Sequence, residues 1–240
     1  MRRNDRALGI TSENATWDDD AKMWFRPETL DSYINREAKT YLRRMPPRAG
    51  DVLLDIGANI GCVSRAYLAA GADKAIAIEP EPDNVRMMFK NLADELKNAR
   101  ALVFDRAVVA GSYPQESIKL SIAQFGNRGN HSTVSKSSGR RPTMSVPVVR
   151  FPWLLDTYQP TLVKCDIEGG EYALADELAS LPRFVKALTV EFHMNAMPDA
   201  RERARDLDAR IQQSGLEYVA GPKNLDKSWF VLRTYRRKEA

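Results

Sequence analysis

Cysteine and histidine are scarce: Cys62, Cys165, His131 and His193 are all that the 240 residues contain of the two types. Cysteines so far apart, with no partner at zinc-ligand spacing, exclude a disulfide framework and a cysteine-based metal centre. Two histidines cannot build a three-histidine zinc site within one chain. Long apolar runs are missing too. No stretch approaches the roughly 18 residues of a membrane-spanning helix, and Met1-Arg2-Arg3-Asn4-Asp5-Arg6 leads into polar sequence instead of a signal-peptide core. A cytoplasmic protein with no membrane span is the expectation. Nor does one sign of charge dominate, since 36 Lys plus Arg against 32 Asp plus Glu leave only +4. The excess gathers at Arg43-Arg44, Arg48, Arg140-Arg141 and the tail from Arg233 to Lys238. Such short clusters are either solvated surface or a patch for an anionic partner such as nucleic acid.

What is present is the alternation of a parallel α/β sheet. Five short apolar runs, Val52 to Ile56, Ala75 to Ile78, Leu102 to Phe104, Leu162 to Cys165 and Ala187 to Val190, read as strands. Helical patterns lie between or after them at Val63 to Ala70, Asp83 to Leu96, Glu171 to Ala179 and Ala200 to Gln213. The alternation breaks twice. Residues 116–149 hold β-type stretches around the polar segment Gly126 to Arg141, which reads as a mobile loop near a site. After Gly215, the stretches Leu216 to Ala220 and Ser228 to Thr234 lie close together, so a terminal antiparallel hairpin fits better than another βαβ unit. Ahead of the sheet, residues 1–48 carry several aromatics and a predicted helix from Leu30 to Leu42, ending at Pro46-Pro47. They read as an N-terminal cap or substrate-side extension on a domain spanning residues 49–240.

The first predicted strand runs into Asp55-Ile-Gly57-Ala-Asn59-Ile-Gly61. Its glycines permit a tight turn and close backbone approach by a ligand. The spacing is not the Gly-x-Gly-x-x-Gly of a dinucleotide reader, and no Gly-Lys-Ser/Thr follows, which disfavours a phosphate-loop NTPase. The next strand ends in Glu79-Pro80, and a carboxylate there can accept both hydrogen bonds of a ribose diol. Asn84 suits either a helix cap or a cofactor contact.

A second set of polar residues clusters at later strand ends, the edge where open α/β sheets bind ligands. Asp166 and Glu168 share one strand parity, and Glu171 follows Gly169-Gly170 at a predicted helix start. Glu191 and His193 share parity at the end of the neighbouring strand. Lys164 lies within its strand and suits pairing with an acid.

Taken together, Asp55-Ile-Gly-Ala-Asn-Ile-Gly61, Glu79-Pro80, Lys164-Cys-Asp-Ile-Glu-Gly-Gly-Glu171 and Glu191-Phe-His193 resemble the FkbM-like family of S-adenosylmethionine-dependent methyltransferases over about residues 50 to 193. The resemblance implies a Rossmann-like class I methyltransferase fold, mainly parallel, with the antiparallel hairpin at its end. It implies that Asp55, Gly57, Asn59 and Gly61 form the cofactor turn, that Glu79 holds the ribose and that Asp105 meets adenine. Methyl transfer then needs a nucleophile held in line and a group to take its proton. Asp166 or His193 is the candidate base, with Glu191 orienting the imidazole or the acceptor. A divalent metal held by Asp166, Glu168, Glu191 and His193 is a less favoured use of the same groups. A small-molecule or glycan-like acceptor methylated on oxygen is the leading expectation. Nucleic-acid or protein-side-chain methylation and a noncatalytic cofactor-binding module are the rivals, because fold does not fix substrate.

Overall fold

The computed structural model describes residues 12–122, 131–133 and 142–238. Apart from residues 131–133, the predicted loop from Gly126 to Arg141 lies outside the described residues. The chain opens with short strands β1 (Thr16–Asp18) and β2 (Met23–Phe25) and helix α1 (Asp31–Arg44). Then come β3 (Val52–Ile56), α2 (Cys62–Ala69), β4 (Lys74–Ile78), α3 (Pro82–Asn91), α4 (Ala93–Lys97) and β5 (Ala101–Phe104). Strands β6 (Ala107–Val109), β7 (Ser117–Ser121) and β8 (Thr143–Arg150) lead into α5 (Phe151–Tyr158). Strand β9 (Leu162–Cys165), a 3-10 turn at Gly170–Leu174, α6 (Ala175–Leu178) and β10 (Ala187–His193) follow, before α7 (Ala200–Gln213), β11 (Leu216–Ala220) and β12 (Phe230–Arg237).

Seven strands form the main sheet in the order β11-β12-β10-β9-β3-β4-β5. Pairing is parallel from β10 through β9, β3 and β4 to β5. The predicted terminal hairpin is there, and its second strand lies inside the sheet: β12 runs antiparallel to both β11 and β10. Strands β3, β4 and β9 are almost wholly buried apolar runs because layers cover both sheet faces. One core cluster includes Ile56, Ile76, Phe151, Leu174 and Phe192. The other includes Leu53, Ile60, Tyr67 and Met87 together with Met23, Phe25, Tyr41 and Met45 of the N-terminal segment. Strands β6, β8 and β7 make a separate three-stranded sheet with its own small core.

The chain goes outward from β3 to β4 and β5, then crosses to the other side of β3 for β9 and β10. A crevice opens at the carboxyl ends of β3 and β9, where the order reverses. Helix α1 is fixed beside this edge by a buried cation. The Arg26 guanidinium bonds both Asp31 oxygens at 2.8 and 3.0 Å, Asp83 at 3.2 Å and Asn84 at 2.8 Å, tying the start of α1 to α3. A buried charge with every partner in place holds position, whereas removing one partner costs about 3–5 kcal/mol.

The predicted helix from Asp83 to Leu96 breaks at Leu92 into α3 and α4, and the one from Glu171 to Ala179 begins as the 3-10 turn. Strands β1, β2 and β6 were missed because three residues are too few to display a period. Helix α5, Phe-Pro-Trp-Leu-Leu-Asp-Thr-Tyr, is apolar on most sides and hides its 3.6-residue period, although Pro152 in its first turn marks a helix start. None of the described helices is long and apolar enough to cross a membrane.

Candidate active site

The turn after β3 packs directly against the segment after β9. Gly57 has φ +80°, and a Cβ on it would lie 1.9 Å from the Asp166 carbonyl oxygen, so only glycine fits. The Gly57 and Ala58 amides donate to Ile78 at 3.0 and 2.9 Å, pulling the turn over the end of β4. Asn59 follows with φ +54° and donates its amide to Glu79 Oε2 at 3.0 Å. The other Glu79 oxygen accepts from the Glu81 amide at 2.9 Å and the Asn84 side chain at 3.4 Å. Glu79 is only 5% exposed yet lines the cleft. Burial pushes its carboxyl up to about 7, with the Glu81 carboxylate adding to the rise and the amide donors opposing it. The cap of α3 is Glu81, whose carboxylate accepts from the Asp83 and Asn84 amides at 2.9 and 2.7 Å. Asn84 itself therefore serves Glu79 and Arg26 instead of the helix end.

Asp55 and Gly61 lie outside the cleft lining. The Asp55 carboxylate, with no exposed surface, accepts from the Ser64 hydroxyl at 2.7 Å and amide at 3.1 Å and stands 3.3 Å from Lys164 Nζ. Gly61 caps α2 with φ +88°. Asp105 is exposed just past β5 and is likewise not part of the lining. Gly57, Asn59, Glu79, Asp166, Glu191 and His193 all line one cleft of about 350 Å³, within the size range of small-molecule sites.

Lys164 connects the two halves of the cleft. Its ammonium donates to the Gly57 carbonyl at 2.6 Å and lies 3.6 Å from Asp166 Oδ2. Around it stand Asp166, a quarter exposed, and the buried hydroxyl of Tyr41 on α1. That hydroxyl is 3.1 Å from Asp166 Oδ2 and 3.3 Å from Glu191 Oε2. The imidazole of His193 is held by Glu171: Nδ1 lies 3.1 Å from Oε1, and the His193 amide donates to the same oxygen at 2.9 Å. Its Nε2 faces Glu168 at 3.6 Å and Asp166 at 3.8 Å.

These contacts set the charges. Burial works against a charged His193, but Glu171 and Glu168 overcome it and hold the imidazole well above its ordinary value. Burial raises Asp166, and Lys164 and His193 more than offset that, leaving it below the usual carboxylate range. Burial and the neighbouring Asp166 together push Glu191 well up. Asp166 and Glu191 are thus neighbouring carboxyls pushed in opposite directions. Asp166, Glu191 and His193 also offer three metal-ligand atoms within 4.8 Å of one another. The Lys164 ammonium and the His193 imidazolium already supply the positive charge a cation would bring.

Tyr41 was not singled out in the sequence, although it is central to this geometry, and Glu171 was read chiefly as a helix-end acid. Tyr41 precedes Asp166 by 125 residues on another element, so no local spacing announces it. The only signal was its place among the aromatics of the predicted N-terminal helix. Part of the basic tail is engaged within the fold, while Arg236 and Lys238 stay exposed. Arg233 pairs with Asp208 at 2.5 Å, Arg237 donates to the carbonyls of Leu181, Val185 and Ser214, and Lys238 pairs with Glu217 at 2.7 Å.

The sheet order, the reversed last strand and a ligand cleft at the switch point define a class I methyltransferase fold. The family model for the methyltransferase FkbM domain matches residues 55–218, and the chain belongs to that family. Membership makes it a methyltransferase and implies use of S-adenosylmethionine. Among solved structures, the chain is similar to an FkbM methyltransferase from Methylobacillus flagellatus KT, at 17% identity and a TM-score of 0.52. That match covers 82% of this chain and 47% of the other. It is also similar to a putative rRNA methylase from Clostridium thermocellum, at 9% identity and a TM-score of 0.51, over 86% of this chain and 97% of the other. At such identities the likeness concerns the fold. No curated protein sequence matches the chain closely enough to count as a relative.

Proposed function

We propose that the chain transfers the methyl group of S-adenosylmethionine to a hydroxyl oxygen of a small-molecule or glycan-like acceptor, with Asp166 receiving the proton. The observation that carries this reading is the arrangement of the cluster around Asp166. Of the two candidate bases, His193 is held well above its ordinary value by Glu171 and Glu168, while Asp166 is lowered beside Lys164 and presents part of its side chain to the cleft. A carboxylate so placed removes a hydroxyl proton as the new bond forms.

The cleft residues fit the cofactor. Glu79 is a buried, cleft-lining carboxyl raised to about 7, and a ribose diol brings the two donors that stabilise its charged form. Gly57 and Asn59 line the adjoining turn, where the methionine portion belongs. Asp55 and Gly61 shape that turn from beneath, and Asp105 receives no role. When bound, the cofactor supplies an already activated methyl group. Orienting the acceptor, taking its proton and excluding water are left to the chain.

The walls of the cleft support this acceptor class. Carboxyl groups of Glu37, Glu79, Asp166, Glu168 and Glu191 line the cleft against Arg106, Lys164 and His193. A polyphosphate backbone would meet carboxyl groups among these cations. Exposed Tyr33, Trp229 and Phe230 rim the cleft and offer apolar faces to a neutral, hydroxyl-bearing molecule. Tyr33, Glu37 and Tyr41 of α1 line the cleft, which supports reading the segment ahead of residue 49 as a substrate-side extension.

Incubation with methyl-labelled S-adenosylmethionine and cell extract, with the product identified by mass spectrometry, tests the reading. A methyl ether on a small or glycan-like molecule is expected. Label confined to nucleic acid or to protein side chains would move the acceptor to those classes. Absence of transfer across varied extracts would favour a noncatalytic binding module.

A further inference from the structure

The family match begins at residue 55, so α1 lies outside it. Yet the side chain of Tyr41 reaches the bottom of the cleft, where its single hydroxyl contacts two carboxyl groups from two different strand ends. The ring is 5% exposed and packed in the same core cluster as Met45 and Tyr67, which fixes the hydroxyl in place. The Tyr41 hydroxyl, as a donor within reach of one oxygen of each, holds both in a set orientation.

We infer that Tyr41 is a positioning residue for the Asp166–Glu191 pair, so that a helix outside the matched family region completes the proton-accepting group. This inference rests on the reading of Asp166 as the base. The hydroxyl occupies the Asp166 Oδ2 edge together with Lys164, while Oδ1 faces His193. Tyr41 is not itself the base, because burial and the adjacent Asp166 and Glu191 carboxyls push its phenol well above its ordinary value and keep it a donor. Asp166 is faced by Lys164 on β9, Glu191 and His193 on β10, Glu37 and Tyr41 on α1, and Glu168 in the following turn. Of these, Tyr41 can lose its polar atom without a change of charge or ring volume.

The test compares Tyr41→Phe with Tyr67→Phe in the full chain. Tyr67 is an equally buried phenol that donates to the Tyr41 backbone carbonyl at 3.2 Å and is no part of the cleft lining. Carbon-13 NMR of labelled Asp and Glu carboxyl groups follows the pair's titration with no need for a ligand. In Tyr41→Phe the lower midpoint of the pair should rise by about half a pH unit or more, roughly threefold in the ionisation constant. Tyr67→Phe should leave it in place while lowering thermal stability. With labelled S-adenosylmethionine and extract, the acid limb of kcat should move up by a similar amount and KM for S-adenosylmethionine should not change. Transfer by the wild type with midpoint and acid limb unmoved in Tyr41→Phe would overturn the inference. A moved midpoint without transfer by the wild type in any extract would uphold the hold on the carboxyl pair and sink the proposed reaction instead.

Discussion

Acidifying the solution should weaken binding of S-adenosylmethionine through Glu79. In the ligand-free chain this carboxyl is raised to about 7 because it is buried beside Glu81. Two ribose hydroxyls donate to its charged form, so binding returns it toward the ordinary carboxylate value of about 4.3. Binding below pH 7 must then release a proton. For one linked proton, affinity at pH 5.5 should be about 30-fold lower than at pH 8, or about 2 kcal/mol. Calorimetric titrations from pH 5.5 to 8.5, run in two buffers of different ionisation enthalpy, measure both the slope and the proton count. Glu79→Gln should weaken binding at pH 8 and flatten the profile. A related sign applies to the free protein. Between about 4.5 and 7 the folded state binds the extra proton, so this group's stabilisation is complete below the unfolded value and falls away as pH rises toward 7, by about 3 kcal/mol. That loss should be visible as the difference between wild type and Glu79→Gln in urea unfolding. A dissociation constant independent of pH over this range, with no proton release, would refute the ribose role.

Asp166→Asn should lower transfer by about 100- to 10,000-fold while leaving the dissociation constant for S-adenosylmethionine within about threefold of wild type, as read by stopped-time assays and calorimetry. His193→Ala removes the cation from the fully buried Glu171 carboxylate, so unfolding free energy in urea should fall by about 3–5 kcal/mol, with slower transfer in the fraction that folds. A fall below about 1 kcal/mol would deny the pair its role. Gly57→Ala puts a Cβ 1.9 Å from a backbone oxygen, whereas Gly71→Ala, also at positive φ, meets nothing within 4 Å. Gly71→Ala should cost roughly 1–2 kcal/mol, and Gly57→Ala clearly more together with loss of cofactor binding. EDTA should leave turnover unchanged, since Lys164 stands 3.6 Å from Asp166 and supplies the positive charge there. Turnover lost in EDTA and restored by a divalent ion would place a metal on Asp166, Glu191 and His193.

The strands were legible because burial on both faces leaves nearly unbroken apolar runs, as in β3 and β9. The turn was legible because Gly57 and Gly61 must adopt conformations that other residues resist. Strand ends placed Glu79, Asp166, Glu191 and His193 on one edge, and the fold brought them into one cleft. Local sequence could not tell which way a strand-end acid faces. Asp55 turns beneath the turn to Ser64 and Lys164, and Asp105 faces solvent, although both end or follow apolar runs as Glu79 does. Long-range partners were also hidden: Arg26 with Asp83, Tyr41 with Asp166, and His193 with Glu171 pair across separate elements. The tail arginines read as solvated surface or an anionic-partner patch because the carbonyl and Asp208 partners of Arg233 and Arg237 are distant in sequence.

A crystal structure of the chain with S-adenosylhomocysteine bound would decide whether the cleft is built for methyl transfer. The expected result is both ribose hydroxyls on Glu79, the ligand running over Gly57 and Asn59, and its sulfur pointing toward Asp166. A ligand seated elsewhere, with Glu79 bonded only to the Asn59 and Glu81 amides and Asp166 out of reach of the sulfur's side of the cleft, would contradict it.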